Sequence, residues 1–262
     1  MQKEDGNNIT LLKKFILAVD SFFNDDTTYY AASLSFFTIF SILPIIALAI
    51  AIISNFPEFH AYMNTFTIYL FNFINPTHSK DIIEALENYI SNSNKLGFLG
   101  IIYMIFVFVM FFKDYDYIVN KIHETVRRPV ILSFFIYSLF FIIFPLFFVI
   151  LTFVLSFLEN DFLRNSISFI FTWFIFFSLF KLSANKKIAN YAALISSFFT
   201  LAVLSISKNL FIYYVIYNKT YTTIYGSLAT LLFTFFWIYV SWIIYLYGVK
   251  MCHKLDLKMK KS

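Results

Sequence analysis

Charged residues are scarce in this chain: Asp, Glu, Lys and Arg make up 13% of its 262 residues, against about 25% in a soluble domain. Glycine and proline occur five times each, and the single cysteine, Cys252, excludes an intrachain disulfide. Instead, 60% of the residues are hydrophobic, 38 of them phenylalanine, and the mean hydropathy is +0.74. This composition excludes a soluble globular domain and predicts a polytopic membrane protein.

Six apolar segments have the length and composition of membrane-spanning helices. At a rise of about 1.5 Å per residue, about 20 residues cross a hydrocarbon core of about 30 Å. The predicted fold class is therefore all-α: a polytopic bundle of six transmembrane helices in a single integral membrane domain, residues 1–262. The predicted spans are 29–53, 96–112, 130–158, 165–180, 188–207 and 225–249.

The segments outside the spans carry their own helical patterns. Residues 1–28 form a cytoplasmic amphipathic segment, which either lies on the membrane surface or caps the bundle as a short soluble helix. Residues 54–95 form a periplasmic loop, predicted as two interfacial helices, with a re-entrant segment as the alternative. Residues 250–262 form a basic cytoplasmic tail.

The distribution of Lys and Arg predicts the orientation. With both termini in the cytoplasm, the inner segments hold 15 of these residues and the outer loops hold 5. This bias follows the positive-inside rule and predicts a multi-pass protein of the bacterial inner membrane. The basic residues are spread over four segments rather than gathered into a groove with stacking aromatics, so a nucleic-acid partner is not expected.

Small and hydroxylated residues form stripes on the last two predicted spans. On a helical wheel, eight residues of the sixth span share one arc: Gly226, Ser227, Thr230, Thr234, Trp237, Ser241, Tyr245 and Gly248. The fifth span has a stripe with alternating spacings of four and three: Ala189, Ala193, Ser196, Thr200, Val203 and Ser207. Such stripes permit close helix contact within a membrane, so the two spans are predicted to pack together with these sides facing the interior.

The first predicted span is also two-sided. Ser33, Ser35, Thr38 and Ser41 occupy one half of its wheel, and large apolar residues occupy the other. Pro44 lies in the middle of the span, where it removes one helix hydrogen bond and is expected to kink the helix.

Several of these segments resemble the YihY/BrkB family of bacterial inner-membrane proteins. The first span, YYAASLSFFTIFSILPII, is similar to the family's Ala-Ala pair and Ser-x-x-Pro step, here Ser41 to Pro44. Asn120 with Arg127 and Arg128 resembles the link after the family's second span. The last span is similar to the family's Tyr-Gly-Ser, Trp-x-Tyr and closing Gly elements, here Tyr225, Gly226, Ser227, Trp237, Tyr239 and Gly248.

The resemblance implies a six-span inner-membrane protein with both ends in the cytoplasm. Family labels name a ribonuclease, a virulence or serum-resistance factor and, for some members, envelope lipid transport. A metal-dependent nuclease needs clustered His, Asp or Glu, whereas the four histidines here lie in separate segments and are interpreted as polar surface residues: His60, His78, His123 and His253. We therefore expect no enzymatic activity, no catalytic or metal-binding residues and no cofactor.

Two functions remain open from the sequence. The first is a non-enzymatic transporter or conduit for an envelope lipid or another amphiphile. The candidate path residues are Ser35, Thr38, Ser41, Pro44, Thr200, Thr234, Trp237 and Ser241, and the candidate headgroup contacts are Asp25, Asp26, Lys113, Arg127 and Arg128. No predicted span contains an ionisable residue, which disfavours proton coupling. The alternative is that the hydroxylated residues serve only in helix packing and that the basic residues serve only to set the membrane topology.

The second function is a non-transporting envelope scaffold or virulence factor. It would bind a protein partner through the outer loop, residues 56–94. Membrane lipids are the expected partners in both cases, and movable helices with prolines, at Pro44 and Pro145, favour transport slightly.

Overall fold

In a computed structural model of the chain, the described residues are 26–54, 97–158, 160–217 and 227–261, with the isolated positions 68, 84 and 88. Over these ranges the chain forms six α-helices and no strand. The helices are α1 (Asp26–Ser54), α2 (Gly97–Ile122), α3 (Val130–Ser156), α4 (Asp161–Ser183), α5 (Asn190–Tyr217) and α6 (Ser227–Lys261). The all-α prediction is confirmed, whereas the predictions for residues 1–25, for the outer loop over 55–95 apart from positions 68, 84 and 88, and for Tyr225 and Gly226 lie outside the described residues.

The helices are longer than the predicted spans. The segment that follows the second span, predicted as a polar link from Lys113 to Pro129, is helical as far as Ile122. No glycine or proline interrupts it, and Ile118 and Val119 continue its buried face. α5 and α6 likewise continue to Tyr217 and Lys261.

Successive helices run in opposite directions through the bundle. α1, α3 and α5 begin at one end, where α2, α4 and α6 finish; we call this the polar end, because most of the charges lie there. Two short connections lie at this end, the α2–α3 link of residues 123–129 and the α4–α5 loop of residues 184–189. The α3–α4 turn lies at the opposite end.

α6 is the central helix of the described bundle. It packs most extensively against α5 and α1; α1 also packs against α2, and α4 packs against α5. The main cluster of buried apolar residues lies toward the polar end and includes Leu34, Phe112, Phe180 and Leu246. Large apolar residues such as Phe135 and Leu210 are exposed on the outside of the bundle, as expected for a surface covered by lipid.

Three of the described helices are long and apolar enough to cross a membrane by length and composition: Asp161–Ser183, Asn190–Val215 and Leu232–Lys260. Two shorter apolar stretches, Val130–Phe140 and Leu146–Ser156, lie within α3. The count of six spans stays a prediction.

The end of α2 is a Schellman motif without glycine. The Thr125 amide donates to the Asn120 carbonyl at 2.9 Å, and the Glu124 amide donates to the Lys121 carbonyl at 3.2 Å. Glu124 has a positive φ of 53°, a conformation that favours glycine because a Cβ is crowded there. The motif turns the chain into the α2–α3 link and fixes where the next polar residues lie.

Candidate functional site

Charged side chains from separate parts of the sequence meet at the polar end. Over Asp26, 113–128, 181–187 and 250–261, this end holds twelve Lys and Arg residues against five Asp and Glu residues. Several of these side chains are buried, and two clusters connect the ends of the helices.

The first cluster centres on Asp116 of α2, which is completely buried. The Tyr137 hydroxyl donates to Asp116 Oδ1 at 3.2 Å, and Arg128 Nη1 lies 3.7 Å from the same oxygen. Arg128 also donates to the backbone carbonyls of Ser183, at 3.3 Å, and Ala184, at 2.6 Å. This Asp116 cluster therefore ties α2 and α3 to the start of the α4–α5 loop.

Asn120, one turn beyond Asp116, strengthens the same connection. Its amide group donates to the Ser183 carbonyl at 3.3 Å, and its Oδ1 accepts from the Asn185 backbone amide at 2.6 Å. Beside it, the Tyr115 hydroxyl is hydrogen-bonded to Ser183 Oγ, at 2.6 Å, and to the Tyr245 hydroxyl. Buried hydroxyls thus link α2, α4 and α6 inside the core.

The second cluster centres on Asp256, near the end of α6, which is also completely buried. Asp256 accepts from the Ala189 backbone amide at 2.8 Å and from Lys260 Nζ at 2.7 Å. Lys186 Nζ lies 3.8 Å from Asp256 Oδ2 and donates to the His123 carbonyl at 2.9 Å. The Asp256 cluster therefore joins α6 to the α4–α5 loop and to the end of α2.

Two histidines complete the second cluster. The rings of His123 and His253 are 5.4 Å apart, and Lys186 Nζ lies 3.1 Å from His253 Nδ1. Burial, followed by the positive charge of Lys186, lowers the pKa of His123 to about 3. Burial also lowers the pKa of Lys186, although the carboxylate of Asp256 opposes this shift. His123 is therefore neutral at pH 7.

The interpretation of these two histidines as surface residues was wrong, because His123 is 1% exposed and His253 is 8% exposed. The helix ends bring together residues 130 positions apart in sequence. Within the described ranges, no three His, Cys, Asp or Glu side chains converge in a group suited to a metal ion.

Most of the candidate path residues are buried between helices. Ser35, Ser41, Thr200 and Thr234 are buried, and Ser241 is half-buried. Five of the hydroxyls donate to backbone carbonyls of their own helices, those of Ser35, Thr38, Ser41, Thr200 and Ser241. Pro44 lies within the continuous helix α1.

Two path residues make contacts between helices. Trp242 of α6 donates from Nε1 to Thr38 Oγ1 of α1 at 2.8 Å. Trp237 is 3% exposed and stacks on Phe211 of α5, with the ring centroids 5.4 Å apart. These contacts place α6 between α1 and α5.

The stripes on α5 and α6 meet at Thr200 and Gly248. A Cβ added to Gly248 would overlap Thr200 Oγ1 and would lie 3.1 Å from the Phe180 ring, so only glycine permits this approach. The α5 stripe is not buried along its whole length, because Val203 is 45% exposed. Beyond Thr200, the bulky Phe211–Trp237 pair occupies the space between the two helices and takes over the contact.

The candidate headgroup residues divide into three groups. Asp26 is exposed, lies 3.9 Å from Lys121 and accepts from the Tyr30 hydroxyl, whereas Asp25 lies outside the described residues. Lys113 is half-buried on α2. Arg128 is committed to Asp116 and to the α4–α5 loop, and Arg127 is half-buried in the α2–α3 link.

Asp116 is absent from the residues predicted for the site because the second span was predicted to end at residue 112. A signal was present: Tyr115, Ile118 and Ile122 continue the helical spacing of Phe111. That spacing could have extended α2 and placed an ionisable residue on a buried helix face. It could not have identified Lys186 or Asp256 as partners of the same region.

The comparisons with known proteins agree with a membrane fold. The UPF0761 membrane protein of Aggregatibacter aphrophilus is 28% identical over 174 residues, 62% of this chain and 63% of that protein. The UPF0761 membrane protein of Haemophilus influenzae is 28% identical over 190 residues, 68% of this chain and 71% of that protein. The chain thus spans about two thirds of the length of these relatives. No solved structure matches the chain.

The profile of the family described as Virulence factor BrkB matches residues 18–261, which is nearly the entire chain. The match includes all six described helices and both polar clusters. This chain is a membrane protein that belongs to the Virulence factor BrkB family.

Proposed function

We propose that this protein is a non-enzymatic carrier or conduit for an envelope lipid or another amphiphile, closed at its polar end by the Asp116 and Asp256 clusters. The observation that carries the proposal is the burial of these charges at the junction of α2, α3, α6 and the α4–α5 loop. Ionisable residues inside membrane bundles are rare, and where they occur they indicate a functional site, such as a substrate pathway or a proton relay.

The energetic argument concerns what such clusters do better than apolar contacts. A buried ion pair contributes little net stability compared with well-packed apolar residues, because removing two charges from water is costly. Such an ion pair does provide a contact that can break reversibly, because either partner can pair with another charge or become hydrated instead. A carrier needs an end that closes and opens, whereas a static scaffold does not.

The polar end is proposed to face the cytoplasm, in accordance with the excess of Lys and Arg there. The hydroxyl-bearing surfaces between α1, α5 and α6, which are packed together in this structure, would then separate to form the route, with Thr38, Thr200 and Thr234 along it. The amphiphile's chains would remain in the bilayer while its polar group passes these hydroxyls.

The test is a lipid-transfer assay in sealed vesicles of phosphatidylethanolamine and phosphatidylglycerol. A fluorescent lipid is placed in both leaflets, and a membrane-impermeant reductant reports how much of it reaches the outer leaflet. Vesicles with the wild-type protein are expected to expose the inner-leaflet probe faster than empty vesicles and faster than vesicles with heat-inactivated protein.

A matched pair of variants connects the result to the polar end. Arg128→Lys keeps the positive charge but loses the planar guanidinium that donates to two carbonyls, so its transfer rate should differ from that of the wild type. Arg164→Lys, at the opposite end, should have the wild-type transfer rate. Transfer by wild-type protein at the rate of empty vesicles would reject the conduit. Crosslinking of residues 56–94 to an envelope protein would then favour the scaffold.

A further inference from the structure

Arg127 carries an unused hydrogen-bonding edge. Its Nε and Nη2 atoms are both buried, and neither has a hydrogen-bond partner among the residues that the structure describes. These two nitrogens form one side of the guanidinium fork, from which two parallel N–H groups point in the same direction. Buried donors without acceptors cost free energy, so an edge of this kind calls for a partner with two oxygens.

The backbone on both sides of Arg127 is held in place. The Asn185 amide group donates to the Val126 carbonyl at 2.9 Å, and Arg128 donates to the Ser183 and Ala184 carbonyls. The link is therefore anchored to the α4–α5 loop immediately before and after Arg127. This anchoring fixes the position of the Arg127 backbone, which reduces the ordering cost of binding.

The surroundings favour an anion. The buried carboxylate of Asp116 forms its ion pair with Arg128. It is therefore not the partner of the Arg127 guanidinium. α3 begins three residues after Arg127, and its N-cap residue, Pro129, makes no side-chain hydrogen bond to the first amides of the helix. The start of a helix without a side-chain cap, at the positive end of the helix dipole, attracts an oxyanion.

We propose that Arg127 is the anchor of an oxyanion-binding site that takes the phosphate of a lipid headgroup through bidentate contacts from Nε and Nη2. The proposal deepens the conduit function by naming the headgroup class, and as a binding site it is independent of transport. Phosphate oxygens match the spacing of the fork, and a helix start at a membrane surface is a setting in which lipid phosphate is abundant.

The experiment measures binding with the full-length protein in an uncharged detergent. The thermal unfolding midpoint is followed during titration with three probes: dihexanoyl phosphatidylglycerol, dihexanoylglycerol, which lacks phosphate, and inorganic phosphate. The wild-type midpoint should rise with the phospholipid and stay constant with dihexanoylglycerol. A rise with inorganic phosphate at similar concentrations would identify the same site but assign it to free phosphate.

Variants of Arg127 distinguish bidentate hydrogen bonding by the guanidinium from attraction by a positive charge alone. Arg127→Gln should raise the phospholipid concentration needed for half of the shift at least tenfold, and Arg127→Lys should give an intermediate loss because lysine lacks the fork. Arg164→Gln, an exposed site at the opposite end, should titrate like wild type. Each variant's midpoint without lipid reports whether it has folded.

Equal titration of wild type and Arg127→Gln would overturn the site, as would a wild-type midpoint that does not respond to any phosphate-bearing probe. Neither result bears on lipid transfer in vesicles, which tests the conduit separately. Transfer without phosphate binding would leave the conduit in place and remove Arg127 as its headgroup contact.

Discussion

At the polar end α5 and α6 meet through Thr200 and Gly248, whereas nearer the opposite end they meet through the rings of Phe211 and Trp237. The first contact is so close that a single added carbon would overlap its neighbour. The second is a stacking contact between two aromatic rings, whose centroids are 5.4 Å apart. The same pair of helices is thus closely packed at one end and spaced by rings at the other.

The charged groups follow the same division. The Asp116 and Asp256 clusters lie at the polar end, and their bonds join segments far apart in the chain. At the described part of the opposite end, the ion pair of Arg164 and Asp161 is exposed and lies within one helix. Directional bonds therefore determine the geometry of one end, while dispersion and lipid contacts dominate the other, where small shifts cost less.

Removing the Asp116 carboxylate should produce the largest loss of unfolding free energy, because it disrupts the bonded polar end. Asp116→Leu leaves the buried guanidinium of Arg128 without its charge partner, which typically costs about 3–5 kcal/mol of unfolding free energy. The measurement is denaturant unfolding in mixed micelles. Asp161→Leu, at an exposed site of the opposite end, should change the value by about 0.5 kcal/mol or less.

A double variant checks the reason for that loss. Asp116→Leu combined with Arg128→Leu removes both charges and should be more stable than Asp116→Leu alone. If the double variant is no more stable, the cost does not come from an unpaired charge.

Adding a methyl group at the close contact should produce the next largest effect. Gly248→Ala forces Thr200 or α5 to move and should cost about 1–3 kcal/mol of unfolding free energy. Thr200→Ala in the same chain removes the overlapping Oγ1 and should recover part of the loss. A Gly248→Ala variant as stable as wild type would mean that α5 and α6 do not approach each other more closely at Gly248 than they do at Trp237.

Acid should weaken the polar end through His123. The pKa of His123 is about 3 in the folded protein and about 6.5 in the unfolded chain. The unfolded state therefore binds a proton first, and stability falls as the pH drops below about 6.5. By pH 5 this single group accounts for a loss of about 2 kcal/mol relative to pH 8.

The comparison of wild type with His123→Gln isolates this contribution. Thermal unfolding midpoints measured from pH 8 to pH 5 should fall less steeply for His123→Gln, whatever its stability at pH 8. Parallel curves for the two proteins would show that His123 does not remain neutral in the folded state through this range.

The smallest expected effect is a gain in stability at the end of α2. Glu124→Gly relieves the positive φ and should stabilise the protein by about 1 kcal/mol. The exposed Glu124 carboxylate lies 3.9 Å from His253, so little is lost with it. Thr125→Gly, one residue later, serves as the control and should not stabilise the protein in denaturant unfolding.

Local patterns in the sequence predicted the helices and the facing stripes of α5 and α6. The small residues around Thr200 and Gly248 could be read from spacing alone, because close packing in a membrane needs small side chains at helical intervals. The end of the α5 stripe could not be read, since it depends on where Phe211 meets Trp237. That contact is set by the relative tilt of two helices.

The polar clusters show the limit of the same reasoning. In the sequence, Lys186 has the usual appearance of a topology determinant, and Asp116 and Asp256 look like ordinary polar residues beside membrane spans. Their burial arises from partners on other elements, such as Arg128 across the α2–α3 link and the Ala189 amide at the start of α5. Pairings of this kind have no periodicity, and only the folded chain reveals them.

The α4–α5 loop has a practical consequence for dissecting the protein. Loops are usually the places that accept inserted epitopes or a break in the chain, but residues 184–189 receive bonds from α2, from the α2–α3 link and from α6. An insertion there would cut the connections that hold the first half of the chain to the second. The turn after α3 is the better position for a reporter, and fragments separated there are the ones expected to reassemble when co-expressed.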